Sequence, residues 1–547
     1  MADYKTPGVY VEEISKFPPS VAGVATAIPA FIGFTENPEF KTDSKPQAVK
    51  IKSLLDYENL FGVGPKLELN DKGELQKHKF VMYDSIRLFF DNGGSTCYVV
   101  SIGNYDATTF DADTYTRGLE PLKKVDEVTL LVAPDAAMLM TKEQLGTLHK
   151  DMLTQCAELG DRFAILNPKL DSSLDTALEE FRNNVGNNNL SYGAAYYPYL
   201  KTTYTKDISF DEMLKIGAIK EKAKKIALFN DYYDKTSLEL IISDLEEEIK
   251  ALTSKINELT NAKDKKDAEA KKEELERKLK ELKKFTITEK DIVQYDGKDV
   301  TENTFDENPT GKEMHEVVLA AIPEIKSKKA LMAKAFATQI DGYAEKLAEL
   351  QDEASIITPS GAMAGIYAAT DGNKGVWQAP ANVSVSAVSN VTEMISDYEQ
   401  ESMNVDANAG KSINAIRYFS GKGILVWGAR TLDGNSNEWR YVPVRRLFNY
   451  IEESVQKSTN WAVFQPNDAN TWVKVRCQIE NFLSNLWRDG ALAGSTPDKA
   501  FYVRVGLDET MTAQDILEGK MIVEIGLAAV RPAEFIVLKF SHKLQEA

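Results

Sequence analysis

Cysteine is scarce in this chain of 547 residues: Cys97, Cys156 and Cys477 lie far apart, and none belongs to a CxxC pair. That spacing argues against both a disulfide framework and a zinc site built on paired thiolates, and it predicts assembly in a reducing cytoplasm. Histidine is scarce too, with four residues. His78, His149, His315 and His542 stand in unrelated contexts with no HExxH and no closely spaced pair, so no metal ligand set is expected. GxSxG is missing, and Gly421-Lys422-Gly423 and Thr310-Gly311-Lys312 lack the spacing of a phosphate loop. The 83 acidic residues supply carboxylate pairs by number alone, so none is assigned a catalytic role. No apolar run approaches the roughly 20 residues of a membrane helix. The opening Met1-Ala2-Asp3-Tyr4-Lys5-Thr6-Pro7 has charge and proline where a secretory signal needs apolar residues. A soluble chain with no membrane insertion is expected. Basic charge is also in deficit: 65 Lys and Arg leave a net charge of −18, contrary to a nucleic-acid binder, which neutralises phosphates with clustered cations.

What is present is length enough for two to four domains. The start, Gly8-Val9-Tyr10-Val11-Glu12-Glu13-Ile14, is β-prone, and Pro18-Pro19 ends it by favouring extended polyproline backbone. Residues 1–22 therefore read as a tethered strand and linker. From 23 to about 230, strand-like runs such as Ala30–Phe34, Cys97–Val100 and Val128–Val132 alternate with helices. One helix spans Met82–Phe90 and stops at Asn92-Gly93-Gly94; another spans Thr141–Leu159 and stops at Gly160. This alternation predicts an α/β layered domain.

Residues 236–286 differ from their surroundings. Leu238, Ile242, Leu245, Ile249, Leu252, Ile256 and Leu259 form a heptad seam, and Leu275, Leu279 and Leu282 resume it after the charged gap Asn261–Asp267. An antiparallel helical hairpin is predicted, with a single long helix pairing with another chain as the lesser reading. A solvated decoration accounts for such a charge-rich insertion, and a surface contact with a neighbour is the functional alternative. Residues 286–312 read as turns, and a helix follows over about Met314–Gln351.

The region from Ile356 onward reads as a separate, well-packed domain. Trp472, Val475, Ile479, Phe482, Leu483 and Leu486 make one apolar helical stripe, closed by Asp489-Gly490. Phe501–Val505 and Met521–Ile525 alternate with period two around a short helix near Ala513–Leu517. A further run, Glu534–Phe540, is set apart by Pro532. The chain thus begins and ends in short tethered strands.

Several separated stretches carry a resemblance. They are Thr6-Pro7-Gly8-Val9-Tyr10-Val11-Glu12-Glu13, Phe31-Ile32-Gly33-Phe34-Thr35, Phe89-Phe90-Asp91-Asn92-Gly93-Gly94 with Cys97-Tyr98-Val99-Val100, Pro359-Ser360-Gly361 through Asp371, and Gly375–Asn382. The strongest are Val426-Trp427-Gly428-Ala429-Arg430-Thr431-Leu432, Trp439–Leu447 and Arg531-Pro532-Ala533-Glu534-Phe535-Ile536. Taken in this order over roughly 1–110 and 355–547, they resemble the contractile tail sheath family of phages, bacteriocins and extracellular injection systems. Ala369 stands where that family often carries arginine.

The resemblance implies an α+β and α/β multidomain fold. In it, 23–110 is part of a core and 111–355 a variable outer α/β domain that includes the hairpin. Residues 356–547 then form the C-terminal sheath domain, with a donated strand at about 534–541. It implies a structural role and no cofactor. Partners would be copies of the chain in a helical polymer, an inner tube protein, and baseplate and tail-terminator proteins at the ends. Assembly would be in a bacterial cytoplasm, and the product a phage tail or a released or membrane-anchored contractile particle. Val9, Tyr10, Val11, Phe535, Ile536, Val537 and Leu538 would donate strands; Phe501, Tyr502, Val503, Ile522 and Val523 would accept them.

Arg430, Arg440, Arg445 and Arg446 are candidates for contacts between subunits or with the tube, salt bridges inside the domain being the alternative. Gln514, Asp515 and Glu518, by resemblance, are candidates to face the tube. A type VI secretion sheath is the nearest rival, but its sheath is usually divided over two chains. An α/β hydrolase is the remote one and lacks a visible nucleophile motif.

Overall fold

The computed structural model describes residues 21–38, 41–42, 45–288, 291–301, 303–406 and 408–537. Chain contacts divide it into two compact units. One gathers Lys77–Thr205, the chain from Ala354 onward, and the described part of the first 66 residues; the other gathers Leu67–Gln76 and Lys206–Glu353. No helix among the described residues is long and apolar enough to cross a membrane.

The first unit is organised by nine strands: β1 (Pro29–Phe34), β2 (Ala48–Ile51), β3 (Cys97–Gly103), β4 (Leu130–Val132), β5 (Phe163–Leu166), β6 (Gly193–Tyr197), β7 (Val383–Ser384), β8 (Ile413–Phe419) and β9 (Gly423–Val426). They lie in the order β7-β9-β8-β6-β5-β4-β1-β3-β2, parallel from β8 to β3 and antiparallel at both ends. All six residues of β1 are buried, as parallel strands covered on both faces require. Ile32 and Phe34 point into one hydrophobic core and Phe31 into the other. Residues 111–205, expected in an outer domain, supply β4, β5 and β6 to the middle of this sheet, because parallel pairing orders strands by crossover and not by sequence.

Among the helices of this unit are α1 (Met82–Asp91), α2 (Lys142–Leu159), α3 (Ser360–Lys374), α4 (Asp397–Asn404), α5 (Val442–Ser458) and α6 (Ala469–Arg488). Thr141 caps α2 through a hydrogen bond from the Gln144 N–H, and Gly160 closes it with φ +73°. Pro359-Ser360-Gly361 opens α3. There it crosses α1: a Cβ on Gly361 would lie 2.4 Å from the Ser85 carbonyl oxygen, and one on Gly365 2.4 Å from that of Phe89. Glycine at both positions lets α3 press its backbone against α1.

A smaller core lies within the same unit. Leu447 and Ile451 of α5 pack with Val475, Ile479, Leu483 and Leu486 of α6. Val21 joins them, and the Ala22 and Val24 N–H groups donate to Ser458 and Ser454. Against α6 lies a two-stranded antiparallel sheet, β10 (Phe501–Arg504) and β11 (Glu524–Leu527). β11 begins after Ile522 and Val523, so these two expected acceptor residues precede the strand. Met521 and Val523 turn their side chains into the small core instead.

In the second unit, the helices Ser237–Glu258 and Ala262–Leu282 are joined by three residues and run against each other. A capping box between Thr236 and Glu239 starts the first, and the Asn261 side chain caps the second. Leu238, Ile242 and Leu245 share their apolar face with the helix Pro309–Gln339 through Met314, Val318 and Ile322. The segment read as turns forms a three-stranded sheet at Phe285–Ile287, Val293–Tyr295 and Lys298–Asp299, packed on the same core. The single helix expected over Met314–Gln351 is two, ending at Gln339 and restarting at Tyr343, because Gly342 takes φ +80° between them.

Candidate subunit-contact site

The outer edge of β10 pairs with no strand among the described residues. Beside it runs an open groove of about 460 Å³ lined by α6 residues Glu480 and Ser484 and by Asp498, Tyr502 and Arg504. The floor is rigid: Val503 is buried on α6, and the backbone pairs Phe501 with Leu527 and Val503 with Ile525. The groove therefore presents a straight, unpaired backbone edge with a polar rim, the geometry that receives an added strand.

The same chain carries a segment of matching character. Phe535, Ile536 and Val537 are 70%, 79% and 77% exposed and belong to no strand. Three consecutive large apolar residues left in solvent are unlike ordinary scattered surface hydrophobics. The other proposed donors, Val9, Tyr10, Val11 and Leu538, lie outside the described residues, as does His542.

The arginines singled out by sequence are mostly engaged within the chain. Arg446 forms two hydrogen bonds with Asp371, at 2.9 and 2.5 Å, under the ring of Tyr367. Arg445 reaches Asn449 at 2.7 Å and stacks on Trp439, with its charge centre 4.1 Å from the ring centroid. Arg430 grips Glu534 through Nε and Nη2, at 2.9 and 2.6 Å. All three are buried, so the reading as contacts with other chains gives way to the intrachain one, because a buried guanidinium needs its partner inside. Arg440 is partly exposed and donates to the Gly434 carbonyl at 2.9 Å.

The short helix Ala513–Leu517 lies between the two strands, as expected. Asp515 faces inward along the helix, accepting from the Thr512 N–H at 2.9 Å, and this bond with the Thr512 hydroxyl holds its pKa down. Gln514 and Glu518 are exposed and bonded to each other at 3.0 Å. Sequence reasoning passed over Leu517, 82% exposed on this helix, and Phe464, fully exposed at φ +66°. Period alone cannot mark an apolar residue as outward on a helix of five residues.

Several buried or clustered polar groups are engaged within the chain. Ser360 is buried and accepts from the Asn167 carboxamide at 2.9 Å. Asp126, Asp161 and Glu453 converge, yet the Lys457 ammonium stands 2.7 Å from Asp126 and 2.5 Å from Glu453 and supplies the positive charge there. His149 and His315 lie in different units.

Residues 435–543 match the profile of the phage tail sheath C-terminal domain. The tail sheath protein of Vibrio phage KVP40 is 24% identical over 203 residues, 37% of this chain and 29% of the relative. That of Enterobacteria phage T4 is 24% identical over 179 residues, 32% of this chain and 26% of the relative. The matches thus span under a third of these curated relatives. Over essentially its whole length the chain is similar to two solved structures at 25% identity and TM-score 0.56. One is the PVC sheath complex of an extracellular contractile injection system in its contracted state, covered to 99%; the other is the helical sheath of the anti-feeding prophage, also contracted, covered to 100%.

Proposed function

We propose that the chain, whose residues 435–543 match the phage tail sheath C-terminal domain and whose length resembles contractile sheaths, is the repeating subunit of a helical cylinder that surrounds an inner tube and contracts to drive the tube through a target envelope. The family is structural, and the chain is not an enzyme. Its partners in this reading are its own copies, the inner tube protein, and baseplate and terminator proteins at the two ends.

The observation that carries the reading is one chain holding both an open β-edge and an exposed apolar segment suited to fill it. Strand addition contributes roughly 0.5 to 1.5 kcal/mol per backbone hydrogen bond, with little dependence on side-chain identity. Burying Phe535, Ile536 and Val537 adds about 1.5 to 3 kcal/mol each and fixes the register. Contacts of this kind survive rotation of the bodies they connect, so a sheath built on them repacks without falling apart. Contraction then needs no fuel at firing: an extended lattice held above a more stable contracted one releases a small free energy at every subunit.

Negative-stain microscopy of the purified chain tests the reading. Hollow helical cylinders are expected, and deletion of residues 1–18 is expected to abolish them while leaving a folded monomer. Dispersed monomers from the full chain at high concentration, or unchanged cylinders from the deletion, would contradict it.

A further inference from the structure

Over four residues at the end of the described chain the usual order of burial is inverted. Glu534 is largely enclosed, its side chain 21% exposed, while the apolar Phe535, Ile536 and Val537 behind it stand in solvent. A carboxylate leaves water only for strong partners, and apolar side chains stay in water only where nothing in their own chain covers them.

Three residues hold Glu534 through four donor atoms. Its Oε1 accepts from Arg430 Nε at 2.9 Å and Asn404 Nδ2 at 2.8 Å; its Oε2 accepts from Arg430 Nη2 at 2.6 Å and the Tyr441 hydroxyl at 3.1 Å. Arg430 is itself fixed. Its Nη1 donates to the Asn404 carbonyl at 3.0 Å, and its backbone N–H donates to Asn414 Oδ1 at 2.7 Å, on β8 of the central sheet. Just upstream the chain is fastened a second time, with the Ala528 N–H on the Ala500 carbonyl at 2.8 Å and the Val530 N–H on that of Ala491 at 3.2 Å. Pro532 therefore lies between two fixed points.

We infer that Glu534, held by Arg430, Tyr441 and Asn404, is the anchor from which the C-terminal arm is presented to a second copy of this chain, and that the arm pivots at Glu534–Phe535. The inference rests on the strand-donation reading above and adds to it a positioning role for three residues of the body. A fixed exit point confines the arm's search for the neighbouring edge, and confinement before binding lowers the entropy lost on pairing. It also sets the register, because the distance of Phe535, Ile536 and Val537 from the anchor is then fixed.

Four chains compared side by side test this: wild type, Glu534→Ala, Tyr441→Phe and a truncation lacking 535–547. Chymotryptic release of the arm after Phe535, followed by mass spectrometry on unassembled protein, reads the anchor without assembly. Pelleting and negative stain read cylinders. Glu534→Ala is expected to keep the wild-type circular dichroism spectrum, release the arm at least about tenfold faster and lose cylinders about tenfold in yield, with Tyr441→Phe intermediate in both. Wild-type cylinder yield from Glu534→Ala, with none from the truncation, would overturn the anchor and leave strand donation standing. Wild-type yield from the truncation as well would overturn donation itself. Loss of cylinders without faster arm release would also overturn the anchor. Should Glu534→Ala fail to fold, Glu534→Gln and Tyr441→Phe decide by the same two readouts.

Discussion

His149 lies on α2 with its ring 5.6 Å from that of Phe181, fully enclosed, and burial pushes its pKa down to about 3. The folded chain thus refuses a proton that the unfolded chain accepts below its ordinary value near 6.5. Stability is fully present above that value and falls as pH drops toward the folded pKa. Between pH 6.5 and 5 this one residue costs about 2 kcal/mol. Urea unfolding of wild type and His149→Leu at pH 7 and pH 5 checks it: the variant is expected to lose about 2 kcal/mol less on acidification, and equal losses would contradict the burial. Glu534 works in the opposite chemical sense to the same end. Burial raises its pKa, but hydrogen bonds from Arg430 and Asn404 and the arginine's charge outweigh that, so the net shift is downward. Its contribution is present above the ordinary carboxyl range and is lost as pH falls through the lowered value.

At the scale of elements, the crossing of α3 over α1 depends on a missing side chain. Gly365→Ala drives a methyl group into the Phe89 carbonyl, and a thermal or denaturant midpoint is expected to report a loss of about 1 to 3 kcal/mol. The hairpin divides differently. Its distal part joins its own two helices, as between Lys271 and Glu248, whereas its base holds Leu282 and Phe285, both fully buried on Val318 and Met314. Replacing 249–272 by a short linker is therefore expected to leave the circular dichroism and melting of the remainder intact. Replacing all of 236–286 is expected to unfold the second unit, by removing those two core residues. The sequence made these helices legible because a heptad seam and capping residues are local signals. It did not show the sheet at 285–299, whose three short strands lack a sustained alternation, nor the break at Gly342, since one glycine inside a helical pattern is also tolerated without a break.

At the scale of the whole molecule, the family motifs were legible, because each is a statement about a short segment. The place of residues 111–205 in the central sheet was not, since parallel strand order is decided by long-range packing that no local pattern encodes. For the same reason the arginines stood out while their partners did not: Asp371 and Glu534 are 75 and 104 residues away from Arg446 and Arg430. What the fold leaves open is the edge of β10 and what it leaves exposed is the arm after Glu534, and the account joins the two between different copies.

The most direct measurement uses two chains with one exposed cysteine each on a Cys477→Ser background, in which Cys97 and Cys156 stay buried; one carries Val537→Cys and the other Tyr502→Cys, with neighbouring positions sampled on each strand. They are mixed, assembled, oxidised and run without reductant. The account predicts covalent dimers containing one of each chain, and a ladder of longer species when both cysteines are placed in one chain. A doubly substituted chain that closes only on itself, with no dimer in the mixture at any register, would contradict it.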